Sequence, residues 1–513
     1  MCLTPPSTAQ GGSFAILMDK KVKTLPPELG DIPVDEFRRH LHVLADWIAD
    51  YRENIEQIPV APIARPGAVM EALPKQGPEE GESFDKILTD FKEIIVPGVL
   101  HWGHPQFAAY FGSTSTAPGL EGEILASAFN INAMTWRTCP AATELETVVV
   151  DWLRQWLHLS EKFGGVVYDT ASIGIMHALA VAREEAVPCT RKQGLTGRDL
   201  PRFRVYTSDQ AHSSVEKAVI AVGLGEENVR RVPTDDEFRL NVSDLPKMIA
   251  QDCADGFRPL ACVATVGTTS TASVDPVADI AKVCRENKMW LHIDGAYGAG
   301  VAILPEFASI ADAWNEADSI IINPHKMLFV PFDFSVLYVR DLERLRRVFT
   351  LVPEYLQGDT LPAEKNYMDY GVPLGRKFRA LKAWMVFRTF GRGGMAARIR
   401  EHLRLARVLA HWIAADERFE LAAPVVMGVV CFRFVGSDPA NADQQNSEIV
   451  EKINTSGAAY INQTKLKGRT VIRVGLGNVL TTEQHLRNVW ELIQKAAPYE
   501  SPSTNNQAPG KSQ

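Results

Sequence analysis

The sequence lacks several features that define other classes of protein. Its seven cysteines form no CxxC pair, so neither a disulfide framework nor a metal site is predicted, and we expect reduced thiols in a cytoplasmic protein. No apolar run approaches the roughly 18–20 residues that span a bilayer. The start of the chain also lacks the basic and apolar segments of an export signal. We therefore expect neither membrane insertion nor export.

Excess positive charge and nucleotide-binding glycine motifs are missing as well. The 54 Lys and Arg against 62 Asp and Glu give a formal net charge of −8, which argues against a generic nucleic-acid partner. No strand-like run is followed by GxGxxG, which disfavours a nicotinamide dehydrogenase. The 513 residues, 46% hydrophobic and 23% charged, are typical of a globular protein with several compact units.

The apolar pattern that is present predicts an α/β protein. Residues 35–51 carry one apolar stripe at helical spacing. Between about residues 160 and 340, short β-rich runs alternate with helical stretches, which predicts a mostly parallel sheet covered by helices on both faces. The predicted strands are 203–207, 261–266, 290–293, 319–322 and 335–339. Beyond residue 378, alternating helices and strands predict a small α+β unit.

These changes divide the chain into five predicted parts. They are a flexible N-terminal extension (1–30), an N-terminal helical dimerisation arm (31–116), a large α/β domain (117–381), a small C-terminal α+β domain (382–496) and a disordered tail (497–513). Within the large domain, the Pro- and Gly-containing stretch 351–375 is long for a simple connection, and such loops are usually lids or disordered.

Polar residues follow several predicted strands, and parallel sheets bind ligands at those ends. Lys326 stands beside an apolar patch that would lower its pKa and make its amine nucleophilic, unless it is an ordinary surface lysine. Asp294 needs a cation, a metal or a protonated ring nitrogen, unless it only caps a turn. His212 precedes a helix whose Ser213 and Glu216 predict a capping box, although a lone histidine is more often structural.

A fourth strand end, around Ser172, offers hydroxyls and backbone N–H groups suited to phosphate, although simple helix capping explains such residues in most proteins. A nucleophilic lysine, a strand-end carboxylate, a histidine suited to ring stacking and an anion site together match the needs of pyridoxal 5'-phosphate. That cofactor has an aldehyde that condenses with lysine, a ring nitrogen that needs an anion, and a phosphate.

At these residues the sequence resembles the group II pyridoxal-phosphate-dependent decarboxylases, and most closely the aromatic-L-amino-acid decarboxylases. The likeness runs from Asp35 to about Ile493. Its motifs are HWGHPQFAAYF (101–111), ATELETVVVDWL (142–153), SDQAHSSVEKA (208–218), VATVGTTSTASVDP (263–276), WLHIDGAYGA (290–299), NPHK (323–326) and PLGRKFRALKAW (373–384).

The resemblance implies a fold and an activity. The fold is the aspartate-aminotransferase-like fold type I, with a mainly parallel seven-stranded sheet, in a homodimer whose active sites lie at the subunit interface. The activity is that of a carboxy-lyase that uses pyridoxal 5'-phosphate to convert aromatic L-amino acids into arylalkylamines and CO₂. The alternative is an aromatic acetaldehyde synthase on the same fold. Tryptophan, tyrosine, phenylalanine and DOPA all remain admissible substrates.

The resemblance also implies roles for single residues. Lys326 would hold the cofactor covalently, Asp294 would pair with its ring nitrogen, and His212 would stack on the ring opposite Ala296. Tyr355 resembles a loop tyrosine that delivers a proton, and relatives with Phe there tend toward aldehyde formation. The other implied cofactor-side residues are Ala171, Ser172, Thr269, Asn323 and the histidine before the lysine, His325.

For the substrate, the resemblance implies an aromatic pocket with unusual positions. Its expected walls are Trp102, Tyr110 and Phe111, followed by Gly112 where the family usually has Pro. Further positions are Asn132 and Met134, in a wall expected from the partner subunit, and Gly375, which leaves room for an indole. Arg473 aligns with an arginine near the site, without an assigned role, and residues 475–478 after it depart from the animal pattern.

Overall fold

The computed structural model describes residues 29–62, 64–351, 364–436 and 441–498. The predictions for the extension and the tail, except at residues 29–30 and 497–498, and for residues 352–363 of the 351–375 loop, fall outside these residues. Within the described ranges, no helix combines the length and the apolar character needed to cross a bilayer.

A seven-stranded sheet forms the centre of the molecule. Its strands lie in the order β1-β7-β6-β5-β4-β2-β3. The pairs β2–β3, β2–β4, β4–β5 and β5–β6 are parallel, whereas β7 runs antiparallel between β1 and β6. The mainly parallel sheet predicted from the sequence is therefore confirmed. Its strands are β1 (Gly164–Tyr168), β2 (Arg202–Ser208), β3 (Val229–Val232), β4 (Phe257–Thr265), β5 (Trp290–Asp294), β6 (Ser319–Ile322) and β7 (Ser335–Val339).

Helices cover both faces of this sheet. Every residue of β5, β6 and β7 is buried, as expected for central strands of a sheet that is covered on both sides. The helices are α1 (Val34–Glu53), α2 (Ala68–Ala72), α3 (Phe84–Asp90), α4 (Ala117–Phe129), α5 (Pro140–Trp156), α6 (Ala171–Ala186), α7 (Thr190–Gln193), α8 (Ser214–Ala221), α9 (Leu245–Ala254), α10 (Val277–Glu286), α11 (Ala308–Asp312), α12 (Pro324–Met327), α13 (Leu342–Phe349), α14 (Ala380–Ala414), α15 (Ala442–Ser456) and α16 (Glu483–Ala496).

The register of the parallel strands aligns their polar ends. Thr265, the last residue of β4, pairs with Asp294, the last residue of β5, and Asp294 pairs with Ile321 of β6. Asn323 follows β6 directly. Three strands therefore deliver polar side chains to the same edge of the sheet.

A second, smaller sheet lies in the C-terminal part. Its antiparallel strands have the order β10-β11-β9-β8. The sequence predicted β9 (Val429–Phe434) and β11 (Arg469–Gly475) but neither β8 (Phe419–Leu421), which is short, nor β10 (Asn462–Leu466), which is polar. The helix before this sheet, α14, is interrupted at Gly391, where φ is 62°. The domain boundary at 381/382 falls in the first turn of α14 and stays a prediction.

The N-terminal arm leaves apolar surface uncovered. Only His40 of α1 is buried, and Phe37 and Leu41 of its apolar stripe are 49% and 44% exposed. On α4, Phe129 is 65% exposed. Large apolar side chains that stay exposed on these two helices are candidates for contact with another chain.

A buried ion pair ties the central sheet to the loop before α14. Arg376 Nη2 lies 2.8 Å from Glu146 Oε1 on α5, and both side chains are less than a tenth exposed. The same Nη2 donates to the Val167 carbonyl on β1, and the Val167 N–H donates to Glu146. Each charge therefore depends on the other for its partner.

We predict that Arg376→Met lowers the free energy of unfolding by about 3 kcal/mol, because it leaves the Glu146 charge buried and unpaired. Denaturant unfolding at fixed protein and cofactor concentrations measures the change. The control, Arg285→Met, removes an exposed pair with Glu316 and should lower the free energy of unfolding by less than about 1 kcal/mol. Equal losses in the two variants would contradict the prediction.

Candidate active site

A cavity of about 480 Å³ lies at the carboxyl edge of the central sheet. It is bounded by the strand ends, by the segment around Phe111 and by the small C-terminal sheet. The cavity brings together most of the residues singled out in the sequence. These are Trp102, Tyr110, Phe111, Ala171, Ser172, His212, Thr269, Asp294, Ala296, Asn323, His325 and Lys326.

Lys326 reaches this cavity from a short helix that begins directly after β6. Pro324 opens α12 at a position where proline is well tolerated. The Lys326 Nζ lies 4.9 Å from the centroid of the Phe111 ring. Burial lowers the pKa of the amine, and the nearby Asp294 carboxylate only partly opposes that effect. A lowered pKa increases the neutral fraction, which is the nucleophilic form.

Asp294 is the carboxylate at the floor of the cavity. It is 5% exposed, and its Oδ1 accepts a 3.1 Å hydrogen bond from the Ala296 N–H. A buried carboxylate with one backbone donor is costly, so the site favours a cationic ligand group. A protonated pyridine nitrogen meets that need.

His212 is oriented by its own helix start, in a way the sequence did not predict. Its Nδ1 accepts from the Ser214 N–H at 3.1 Å and lies 2.7 Å from Ser214 Oγ. The predicted capping box is wrong, because Ser213 has helical backbone angles and makes no cap, while Glu216 pairs with Arg231. An Nδ1 that accepts an N–H bond leaves the ring proton of the neutral tautomer on Nε2.

The two cavity histidines are both held in the neutral form. Burial lowers the pKa of His212, although Asp294 opposes the shift. Burial also lowers the pKa of His325 to about 3, with Lys326 adding to the effect. The His325 Nδ1 accepts from the Phe334 N–H at 3.0 Å. The formal charges of the cavity therefore come from Asp294, Lys326 and Arg473.

The N-terminus of α6 provides an anion site at the edge of the cavity. Helix α6 begins at Ala171 with no side-chain cap from Thr170, so its first-turn N–H groups have no helical acceptors. Two buried polar atoms beside the cavity, Asn323 Oδ1 and Thr265 Oγ1, have no hydrogen-bond partner. Buried polar atoms of this kind are normally satisfied. This donor and acceptor set fits a ligand that carries a phosphate and a polar ring.

Aromatic rings form one wall of the cavity. Trp102 and Tyr110 stack with centroids 5.4 Å apart and planes 11° apart. Phe111 stacks on Tyr297 at 3.9 Å. Trp102 and Tyr110 remain 40% and 46% exposed, so their faces are available to a flat ligand. Offset stacking on such faces favours aromatic groups.

Four predicted substrate residues do not line this cavity. Gly112 packs on Gly477 behind the aromatic wall. Asn132, Met134 and Gly375 form a separate group, in which Asn132 Oδ1 accepts from the Arg376 N–H and Asn132 Nδ2 lies 3.5 Å from Met134 Sδ. Their contact with substrate across a subunit interface stays a prediction. Tyr355 lies outside the described residues.

The cavity also contains residues that the sequence did not single out. Thr265 had a usable signal, because it ends a strand next to Asp294. Asn462, Gln463 and Thr464 come from β10, far along the chain, and no local pattern marks them. The remaining unpredicted lining residues include Ser113, Thr170, Ser214, Gly267, Ser270, Tyr297 and Phe332.

A reactive lysine, a strand-end carboxylate and an anion-binding helix start at the edge of this sheet define a pyridoxal-phosphate enzyme of fold type I. Comparison with known proteins agrees. The model of the pyridoxal-dependent decarboxylase conserved domain matches residues 66–435. The chain therefore belongs to the pyridoxal-dependent decarboxylase family and is a carboxy-lyase that uses pyridoxal 5'-phosphate.

Relatives cover nearly the whole chain. Phenylacetaldehyde synthase of Arabidopsis thaliana is 36% identical over 477 residues, 91% of this chain and 96% of its own. Tyrosine decarboxylase 2 of Narcissus pseudonarcissus is 36% identical over 481 residues, 91% and 95% of the two chains. The crystal structure of Oryza sativa TDC with PLP and tryptamine superposes with a TM-score of 0.87 at 36% identity, covering 91% of this chain and 98% of that one.

We predict that Asn323→Ala raises the apparent Kd for pyridoxal phosphate by about tenfold, because it would remove a hydrogen bond worth ~1–2 kcal/mol that the unpartnered amide is placed to make with the cofactor. Titration of the apoenzyme, followed by visible absorption, measures the Kd. Asn287→Ala is the matched control, since Asn287 bonds only the Val283 carbonyl and lies outside the cavity. Unchanged affinity in Asn323→Ala would exclude that residue from the cofactor site.

Proposed function

We propose that this enzyme decarboxylates aromatic L-amino acids to arylalkylamines and CO₂. The observation that carries the proposal is the placement of Lys326 and Asp294 in one cavity whose third side is the Trp102, Tyr110 and Phe111 wall. The first two residues suit the cofactor and the third side suits a flat side chain. Relatives named for tyrosine decarboxylation support the same substrate class.

When bound, pyridoxal phosphate supplies an electron sink for the negative charge left on the substrate Cα as CO₂ departs. The residues of this chain then have defined tasks. Lys326 would hold the cofactor covalently, and Asp294 would keep the ring nitrogen protonated by pairing with its charge. His212 and Ala296 would hold the two faces of the ring. Ala171, Ser172, Thr269, His325 and Asn323 would complete the cofactor contacts.

Orientation of the substrate is the task of the aromatic wall. A substrate ring stacked on the exposed face of Trp102 or Tyr110 would place the Cα near Lys326 and the cofactor. The same contacts exclude water from the reacting carbon, which prevents side reactions. Tyr355 then delivers the proton to Cα. A phenol is suited to this step because it holds its proton at neutral pH and donates it only to a strong base.

A homodimer completes this proposal. The uncovered apolar residues of the arm and of α4 provide a surface of the kind that a second copy buries. Asn132, Met134 and Gly375 would then face the partner's cavity. A cytoplasmic location is proposed as well, since all six cysteines among the described residues are free, as a reducing compartment favours.

We predict that the enzyme, offered tryptophan, tyrosine, phenylalanine and DOPA together, forms amine and CO₂ in equal amounts. Chromatography with mass detection measures the amines, and the preferred substrate is the one consumed first. Lys326→Ala should lose turnover. Borohydride reduction should attach the cofactor to the peptide that contains residue 326 in the wild type, and this labelled peptide should be missing in Lys326→Ala. Trapping on another peptide would remove Lys326 from its proposed role.

We also predict that, in the presence of dioxygen, Tyr355→Phe shifts the products from amine toward aldehyde, ammonia and hydrogen peroxide. The proton donor to Cα is lost, so dioxygen accepts two electrons in place of protonation and becomes hydrogen peroxide, while water supplies the aldehyde oxygen. Peroxide and aldehyde assays beside amine quantification measure the partition. Phenylacetaldehyde synthase is among the relatives, so the wild-type enzyme needs the same assays. Aldehyde as the main wild-type product would support the aldehyde synthase alternative, whereas unchanged amine output from Tyr355→Phe would remove Tyr355 from the mechanism.

A further inference from the structure

The aromatic wall of the cavity is fixed by the small C-terminal sheet. The Ala108 N–H donates to the Tyr460 carbonyl at 2.8 Å, and the Ala108 carbonyl accepts from the Gly475 N–H at 2.9 Å. The Tyr110 carbonyl accepts from Arg473 Nη1 at 2.6 Å. The segment that carries Tyr110 therefore lies beside β10 and β11 like an additional strand. A displacement of that sheet would also displace the aromatic wall.

Tyr110 is held in a strained conformation by these contacts. Its φ of 52° lies in the left-handed region, which a bulky residue rarely adopts. Its N–H donates to Asn462 Oδ1 and its carbonyl accepts from Arg473, so β10 and β11 hold both sides of the residue. A Cβ at Gly475 would overlap the Tyr110 carbonyl oxygen. Such strain persists only where the surroundings impose it, and it is typical of functional positions.

A second close approach of the two backbones lies two residues further on. A Cβ at Gly112 would come within 2.9 Å of Gly477 Cα, and a Cβ at Gly477 within 3.1 Å of Gly112 Cα. Thr114 Oγ1 donates to the Gly477 carbonyl at 3.2 Å beside this contact. Neither glycine has a φ in the left-handed region, so closeness of the backbones, and not backbone conformation, requires glycine. Two unusual sequence features, Gly112 and residues 475–478, are thus two sides of one contact.

Phe111 connects this contact to the reacting groups. It is the chain neighbour of Gly112, its ring stacks on Tyr297 at 3.9 Å, and its centroid lies 4.9 Å from Lys326 Nζ. Arg473 lies 4.8 Å from the same centroid. Because the ring is packed on these sides, displacement of Gly112 by a few tenths of an ångström changes the space beside Lys326.

We propose that the contact between Gly112 and Gly477 sets the size of the aromatic ring that the cavity accepts. This inference rests on the proposed function and adds a specificity-determining contact to it. The two glycines do not touch substrate. They act through the position of Phe111 and Tyr110.

The test is Gly477→Ala, assayed with tryptophan and phenylalanine as two-ring and one-ring substrates. The added methyl displaces Gly112 and pushes the wall toward the cavity, so kcat/KM for tryptophan should fall about tenfold relative to phenylalanine, mainly through KM. The matched control is Gly393→Ala, since nothing lies within 4 Å of a Cβ there; it should keep the wild-type ratio. A Gly477→Ala ratio within about twofold of the wild type, with normal cofactor absorption, would overturn the inference.

A second pair of variants covers the case in which Gly477→Ala does not fold. Thr114→Val removes the hydroxyl that donates to Gly477 and accepts from the Val479 N–H, and therefore loosens the contact without adding bulk. Thr114→Val should change the KM values for the two substrates unequally, by about threefold or more, with kcat retained. Thr114→Ser, which keeps the hydroxyl, should show the wild-type ratio of the two KM values. Equal KM changes for both substrates would overturn the inference.

A wild-type enzyme that turns over no aromatic amino acid would instead overturn the proposed function. The contact is then tested by titrating the holoenzyme with one-ring and two-ring aromatic amines and following the cofactor absorption. A Gly477→Ala variant that weakens two-ring binding selectively supports the inference, and one that leaves both affinities unchanged overturns it.

Discussion

The buried carboxylate of Asp294 is the constraint on which the site depends. It is 5% exposed and receives one backbone hydrogen bond, so its charge must be balanced by a ligand or by nearby cations. Its field raises the pKa of both Lys326 and His212 against the effect of burial. The carboxylate therefore moderates the effect of burial on both groups, in addition to the pairing with the ring nitrogen that is proposed for it.

The central sheet determines where the Asp294 carboxylate lies relative to the other groups of the site. Parallel pairing of β4, β5 and β6 places Thr265, Asp294 and the residues after Ile322 at one edge, and an antiparallel arrangement of these strands would separate them. Helix α6 presents its N-terminus to the same cavity. Lysine, carboxylate and anion site thus meet because of strand direction and register, which are global properties of the fold.

The sequence predicted the parts of the site that local pattern determines. Lys326, Asp294 and Ser172 each follow an apolar run, so the strand end was visible without a structure. His212 is found for the same reason, but the capping box of Ser213 and Glu216 is wrong. Ser213 has helical backbone angles and Glu216 pairs with Arg231, and composition shows neither. Asn462 and Arg473 reach the cavity only through the docking of the C-terminal sheet, and no local period reports docking. Tertiary packing likewise decides that Asn132 and Gly375 do not line this cavity.

Charge favours substrate over product in this cavity. Burial favours the neutral form of Lys326 and both histidines are neutral, so Arg473 is the remaining cation of the described lining, beside the carboxylate of Asp294. A buried arginine attracts anionic groups such as the carboxylate of an amino acid. Decarboxylation removes that carboxylate. Loss of CO₂ therefore removes an attraction that favours binding of the substrate, and the amine that remains is held less strongly.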